Sequence, residues 1–190
     1  PDPDPDPQPE TDVDYYAEIS TTTPYNQNFD AIGTAQIANL PIGWKLEKRL
    51  DAPRTLGTFA EASKTTEQLG GNNLASNTKN GTYNFGAGVA DQATDRAIGG
   101  VSTGIAGGTR CINIYTKIKN TGNENIDSLS ITYDIEKYRK GLNAAGFRMQ
   151  LYYSTDGTNW TSAGNNFLTS FPADNATEGY ATAPGEMVHV

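Results

Sequence analysis

Cys111-Ile112-Asn113-Ile114-Tyr115-Thr116-Lys117-Ile118 alternates apolar and polar side chains without a break. Successive side chains of a strand point to opposite faces, so Ile112, Ile114 and Ile118 share one face and Asn113, Tyr115 and Lys117 the other. The pattern predicts a half-buried strand with its isoleucines inward. It recurs twice downstream. Leu129, Ile131, Tyr133 and Ile135 alternate with Ser130, Thr132, Asp134 and Glu136, and Phe147, Met149, Leu151 and Tyr153 alternate with Arg148, Gln150 and Tyr152. Three long strands with one wet face each place the chain among antiparallel all-β proteins.

The connections fit the same reading. Asn120-Thr121-Gly122-Asn123-Glu124-Asn125 reads as a tight polar turn joining the first two strands. Asp156-Gly157 marks a hairpin between Tyr152-Tyr153-Ser154 and Trp160. Ser154-Thr155-Asp156-Gly157-Thr158-Asn159-Trp160 also resembles the Asp-box turn of β-propeller enzymes, in which Asp and Gly shape a hairpin and Trp packs beneath it. Shorter strands are expected near 25–29, 44–47, 83–85 and 97–101, and 60–64 is the one plausible helical turn. Many short strands separated by glycine- and asparagine-rich turns predict a jelly-roll-like β-sandwich.

At its start the chain reads Pro1-Asp2-Pro3-Asp4-Pro5-Asp6-Pro7-Gln8-Pro9-Glu10. Alternating proline removes backbone donors and the carboxylates repel, so this stretch predicts an extended polyproline II spacer rather than helix or sheet. With 11–20 as a softer linker, residues 1–20 form the spacer and 21–190 the β-sandwich domain. The net charge of −8 is concentrated there: residues 1–14 hold six acids and no base, leaving −2 for the rest. A nearly neutral body gives no reason to expect a nucleic-acid binder. No apolar run approaches the roughly 18–20 residues of a membrane-spanning helix. Without a signal peptide, the chain fits a mature or trimmed form. Cys111 is the only cysteine, which excludes an internal disulfide and cysteine-rich metal sites, and predicts a buried, inert thiol.

Several motifs stand in a familiar order: Asn28-Phe29-Asp30, Leu40-Pro41-Ile42-Gly43-Trp44, Gly81-Thr82-Tyr83-Asn84-Phe85-Gly86, Asp95-Arg96-Ala97-Ile98-Gly99-Gly100, and Leu129-Ser130-Ile131-Thr132-Tyr133-Asp134-Ile135-Glu136-Lys137-Tyr138-Arg139. Over about 25–190 they resemble a jelly-roll module of secreted and surface proteins of Bacteroidetes, often found beside extracellular nucleases and lamin-tail-like domains. The resemblance implies an extracellular or outer-surface location. With the spacer, it also implies a lipid anchor upstream of Pro1. It brings no catalytic residues. Such modules usually end in closing strands resembling Leu-Ala-Ile-Asp-Asp-Val-Ser-Val, which have no counterpart before Val190. The expectation is therefore a fragment, or a sandwich closed by a strand from elsewhere, with an open apolar groove beside 112–118 and 129–135 and with 187–190 extended along its edge.

The functional reading that follows is a non-catalytic recognition or display module with glycan as the first candidate ligand. Its rivals are an accessory module of a secreted nuclease or other hydrolase, and a structural subunit completed by strand addition. Tyr115, Tyr138 and Tyr152, opposite the apolar stripes, could form a stacking platform for sugar rings. Asp91 and Asp95 flank a loop able to offer carboxylates and carbonyls to Ca2+, although their spacing matches no EF-hand. No other cofactor is expected. Asp95-Arg96 reads alternatively as a buried or loop-capping ion pair. Asp134 and Glu136 lie about 7 Å apart on one strand face, a spacing that suits an inverting glycosidase. The preferred account pairs them with Lys137, Arg139 and Arg148 across strands. His189, the sole histidine, reads as a surface residue of the last strand.

Overall fold

The computed structural model describes residues 15–75, 77–141, 143–175 and 179–190. The proline- and aspartate-rich stretch 1–14 lies outside the described residues. The fold is all-β. The strands are β1 Ala17–Ile19, β2 Trp44–Arg49, β3 Gln68–Gly70, β4 Gly81–Gly86, β5 Arg96–Val101, β6 Cys111–Thr116, β7 Ile118–Asn120, β8 Asp134–Lys137, β9 Phe147–Gln150, β10 Tyr152–Tyr153, β11 Thr161–Ser162, β12 Leu168–Phe171 and β13 Glu186–His189. Among the described residues helix is confined to two short 3-10 turns, Asp30–Ile32 and Asn165–Phe167, and 60–64 contains no helix. Residues 25–29 form no strand either.

Pairing is local and fragmented. β2 pairs antiparallel with β6, β3 and β5 flank β4, β8 pairs antiparallel with β13, β9 with β12, and β10 with β11. β1 runs parallel to β7. The expected hairpin between the first two alternating strands therefore does not form. The turn at 120–125 carries the chain away from β7, and β8 takes its partner from the far end of the sequence. Residues 15–19 also belong to the folded body rather than to a linker. Tyr15 is buried against Phe59, and Gly43 makes room for β1 at φ 87°, where a Cβ would meet the Ala17 nitrogen at 2.5 Å.

The core is aromatic and divided. One cluster gathers Tyr15, Phe59, Ala62 and Tyr115 with Trp160 against it, and a second gathers Tyr83, Phe85, Tyr138 and Ala183. Phe85 lies stacked between Tyr83 and Tyr138, with ring centroids 5.0 and 4.6 Å away. Beneath it, Arg96 is buried without a carboxylate on its guanidinium. Nε and Nη2 donate to Asn84 Oδ1 at 2.9 and 2.7 Å, and Nη1 donates to the carbonyls of Ala90 and Ala93. Arg96 caps the 89–95 loop with neutral acceptors, while Asp30 receives its backbone N–H. The expected Asp95–Arg96 pair is replaced by this cage.

A buried cation fully bonded to fixed acceptors is costly to truncate, because each acceptor is left dry and unpaired. Arg96→Met should lower the unfolding free energy by about 2–4 kcal/mol in urea titration. A loss below about 0.5 kcal/mol, the scale of a neutral surface change, would contradict this reading of the cage.

Candidate functional site: an open apolar groove

The inner face of the β2–β6 ladder is polar. Lys45 stands opposite Tyr115, and Glu47 opposite Asn113. Glu47 Oε2 accepts from the Tyr115 hydroxyl at 2.6 Å and from Asn113 Nδ2 at 2.8 Å, and Arg49 Nη1 reaches Oε1 at 3.0 Å. The Tyr115 hydroxyl in turn accepts the Gly57 N–H, and Trp160 Nε1 donates to the Gly57 carbonyl. Lys45 Nζ donates to the carbonyls of Phe59 and Ala60. Burial pushes the Glu47 carboxyl upward, but the bonds from Tyr115, Asn113 and Arg49 outweigh it and hold the group below the ordinary glutamate value. Burial and the Glu47 carboxylate together drive the Tyr115 phenol upward.

This network decides which way β6 faces. With Asn113 and Tyr115 turned inward, Ile112 and Ile114 must turn the other way. Sequence alternation alone pointed the isoleucines to the core. Here they are only half-buried, and Ile118 is exposed. They look into a groove of about 1770 Å3 that runs across the molecule. Ile98 of β5 shares its lining. Leu129 and Ile131 line one flank, and Met149, Leu151 and Tyr152 also border it. Gly100 lets β5 and β6 approach, since a Cβ there would meet the Gly81 carbonyl at 2.5 Å and Ile112 at 2.6 Å.

The flank at 125–133 is unusual. The strand expected over 129–136 begins only at Asp134. Residues 125–133 run without turn or bend, and among the described residues no backbone hydrogen bond is formed by 125–132. Leu129 and Ile131 are 53% and 43% exposed.

The remaining sequence-predicted residues are scattered. Tyr115 and Tyr138 are each 4% exposed, their hydroxyls spent on Glu47 and Glu136. Of the three only Tyr152 is not buried, so the expected outward platform of three tyrosines is not formed. The Tyr115 and Tyr138 hydroxyls donate to carboxylates, one to Glu47 of β2 and the other to the neighbouring Glu136 of β8, instead of facing solvent. Asp91 and Asp95 are exposed at the two ends of the capped loop, and no group of three His, Cys, Asp or Glu side chains able to hold a metal comes together among the described residues.

Arg148 lies on β9 against Ser170, away from the β8 partner strand, which corrects the expected cross-strand pairing. Asp134 instead meets His189 Nδ1 at 2.7 Å, and Lys137 pairs with Asp174 at 3.3 Å and Glu186 at 3.6 Å. Glu136 is raised, first by burial and then by the charges of Asp95 and Asp134, against a bond from Tyr138. Cys111 is half-buried, its thiol raised by burial as an inert cysteine's would be. Asp156 accepts from the N–H groups of Thr158 and Asn159, shaping the β10–β11 hairpin, and Trp160 packs against the Tyr15–Phe59–Tyr115 cluster. A second, shallower cleft of about 420 Å3 lies among Tyr16, Tyr25, Pro41 and Ile42.

No helix among the described residues is long and apolar enough to cross a membrane. Comparison with family models, curated proteins and solved structures finds no match for this chain. The resemblance to a jelly-roll surface module rests on the quoted motifs alone.

The two carboxylates give opposite pH signatures. Glu47, lowered in the fold, contributes stability that is complete above the ordinary glutamate value and is lost as the pH falls through its lowered value. Glu136, raised in the fold, favours the native state below the ordinary value and loses that contribution as the pH rises through its raised value. Glu136→Gln keeps an acceptor for Tyr138 and removes a charge beside Asp95 and Asp134, so its melting temperature at pH 7 should equal or exceed that of the parent. Tyr115→Phe removes one donor from Glu47 and leaves the Gly57 N–H only its 3.2 Å bond to Glu47 Oε2, and should cost about 1–3 kcal/mol at pH 7. Thermal melts across pH 3–8 check both. A Glu136→Gln variant several degrees less stable at pH 7 would contradict the reading of that carboxylate.

Proposed function

We propose that this chain is a non-catalytic recognition module whose binding surface is the open groove, and that the groove takes up an extended polypeptide strand. One observation carries the reading. A groove of mixed lining, with an aliphatic strip of Ile98, Ile112, Ile114, Leu129 and Ile131, is flanked by a segment, 125–132, whose main-chain groups have no partner among the described residues. An edge with free N–H and C=O groups beside an apolar trough is what β-strand addition requires: the main chain supplies affinity and alternate side chains supply selectivity. A small apolar ligand would cover the isoleucines and leave that edge unpaired.

The non-catalytic part is supported by the histidine. His189 is exposed on β13 and held to Asp134 outside the buried polar networks. A surface location, with the jelly-roll character of the module, is supported by the quoted motifs and by the acidic proline-rich stretch that precedes the domain. Glycan recognition is the second reading. Its better seat is the shallow cleft between Tyr16 and Tyr25 rather than the predicted tyrosine triad.

Hydrogen exchange with a peptide of alternating valine and threonine checks the leading reading. Amides within 125–132 should gain protection on adding the peptide, and Ile131→Lys should abolish the gain. Exchange unchanged in 125–132 at saturating peptide, or glycan-dependent protection confined to 16–25 and 41–42, would overturn it.

A further inference from the structure

β8 turns Glu136 towards the groove and Lys137 to its other face. Lys137 is buried, 6% exposed, and its Nζ lies 3.3 Å from Asp174 Oδ2 and 3.6 Å from Glu186 Oε2. The buried Phe171 ring, stacked on Phe147, lies 5.9 Å from the ammonium and gives the cluster an apolar wall. The backbone fixes all three charged groups. Glu186 stands directly opposite Lys137 in the β8–β13 ladder, and Asn143 and Asp174 exchange both main-chain hydrogen bonds, at 2.9 and 2.8 Å. The two carboxylates differ in exposure: the Asp174 side chain is 19% exposed and that of Glu186 49%.

An ammonium pressed against a carboxylate on rigid backbones is also the reactant state of an amide condensation. Reacting groups held about 3–3.5 Å apart gain an effective concentration that free groups in water never reach. Exclusion of water favours the uncharged amide over two buried charges. The second carboxylate supplies what the reaction needs besides proximity, a group that moves protons between nitrogen and the leaving oxygen. Glu186, the wetter of the two, suits that part. Asp174, nearer and better buried, suits the part of the acyl group.

We propose that Lys137 and Asp174 become joined by an intramolecular isopeptide bond, made by the folded chain itself with Glu186 as proton relay. Burial pulls the Lys137 ammonium towards its neutral form, but Tyr180, Asp174 and Glu186 outweigh it and hold the group above the ordinary lysine value. The reaction therefore starts from the ionised pair. Glu186 takes one proton from the ammonium, and the freed Nζ electron pair attacks Asp174 Cγ. The Nζ–Cγ bond forms and the Cγ–Oδ2 bond breaks. Oδ2 leaves as water, carrying the relayed proton and a second proton from Nζ. Ammonium and carboxylate become amide and water, with no change in net charge and no other reactant consumed. The bond closes a loop between positions 37 apart and ties β8 to the segment that follows β12.

The mass of the denatured full-length chain tests this. The parent should be lighter than its sequence mass by one water, and a tryptic digest should contain a branched peptide joining Lys137 to Asp174. Asp174→Asn should reach the same final mass as the parent, because ammonia then leaves in place of water, and Lys137→Arg should keep its full sequence mass. Glu186→Gln, at a half-exposed side chain, should slow bond formation in freshly synthesised chain about a hundredfold. A parent of full sequence mass would overturn the inference and leave an ordinary ion pair. So would a water loss that persists in Lys137→Arg or maps to Asp156-Gly157. A Glu186→Gln chain that closes as fast as the parent would overturn the relay.

Discussion

The hydrogen bond from Tyr115 to Glu47 sets the orientation of the strand on which the groove depends. At 2.6 Å, with Asn113 on the same carboxylate oxygen and Arg49 on the other, it fixes the polar face of β6 against β2. A strand has only two faces. Once Asn113 and Tyr115 are committed inward, Ile112 and Ile114 can only face the groove. Charge-assisted bonds to a largely buried carboxylate are strong, and breaking one strands the rest, so the orientation is not readily reversed. The aliphatic lining of the groove is a consequence of where the polar groups went.

The same logic governs the rest of the interior. Aromatic rings form two separate clusters, Arg96 sits in a cage of neutral acceptors made by Asn84 and loop carbonyls, and Lys45 donates to the carbonyls of Phe59 and Ala60. Each of the two cations ties a loop to a strand. Stability therefore resides in the β2–β6 and β3–β4–β5 units, which leaves Leu129 and Ile131 out of the core and free to line an accessible surface.

Much of the fold was legible in the sequence because period-two alternation is a local property. It located β2, β4, β5, β6 and β9 and the hairpin at Asp156, and it marked 112–118 and 129–135, the stretches beside which the groove lies. What alternation cannot carry is the sign of a face. Asn113 and Tyr115 are inward because Glu47 sits 66 and 68 positions away along the chain. Tyr138 is inward because Phe85 offers a stacking surface and Glu136 an acceptor. The tyrosines looked like a platform for want of these partners. Tyr15 and β1 looked like linker because three residues that pair in parallel with Ile118–Asn120 leave no periodic trace. The pairing of β8 with β13, whose partners lie 49 to 55 positions apart along the chain, was likewise a non-local choice that no short window records.

The most direct test of the account follows the methyl groups. With 13C-labelled isoleucine methyls, titration with an alternating valine–threonine peptide should shift Ile112, Ile114 and Ile131 together and saturably, since all three line one groove. Tyr115→Phe, by loosening the polar face of β6, should weaken that response. Shifts confined to Ile42 beside the Tyr16–Tyr25 cleft, with Ile112, Ile114 and Ile131 unmoved, would contradict the claim that the groove is the binding surface.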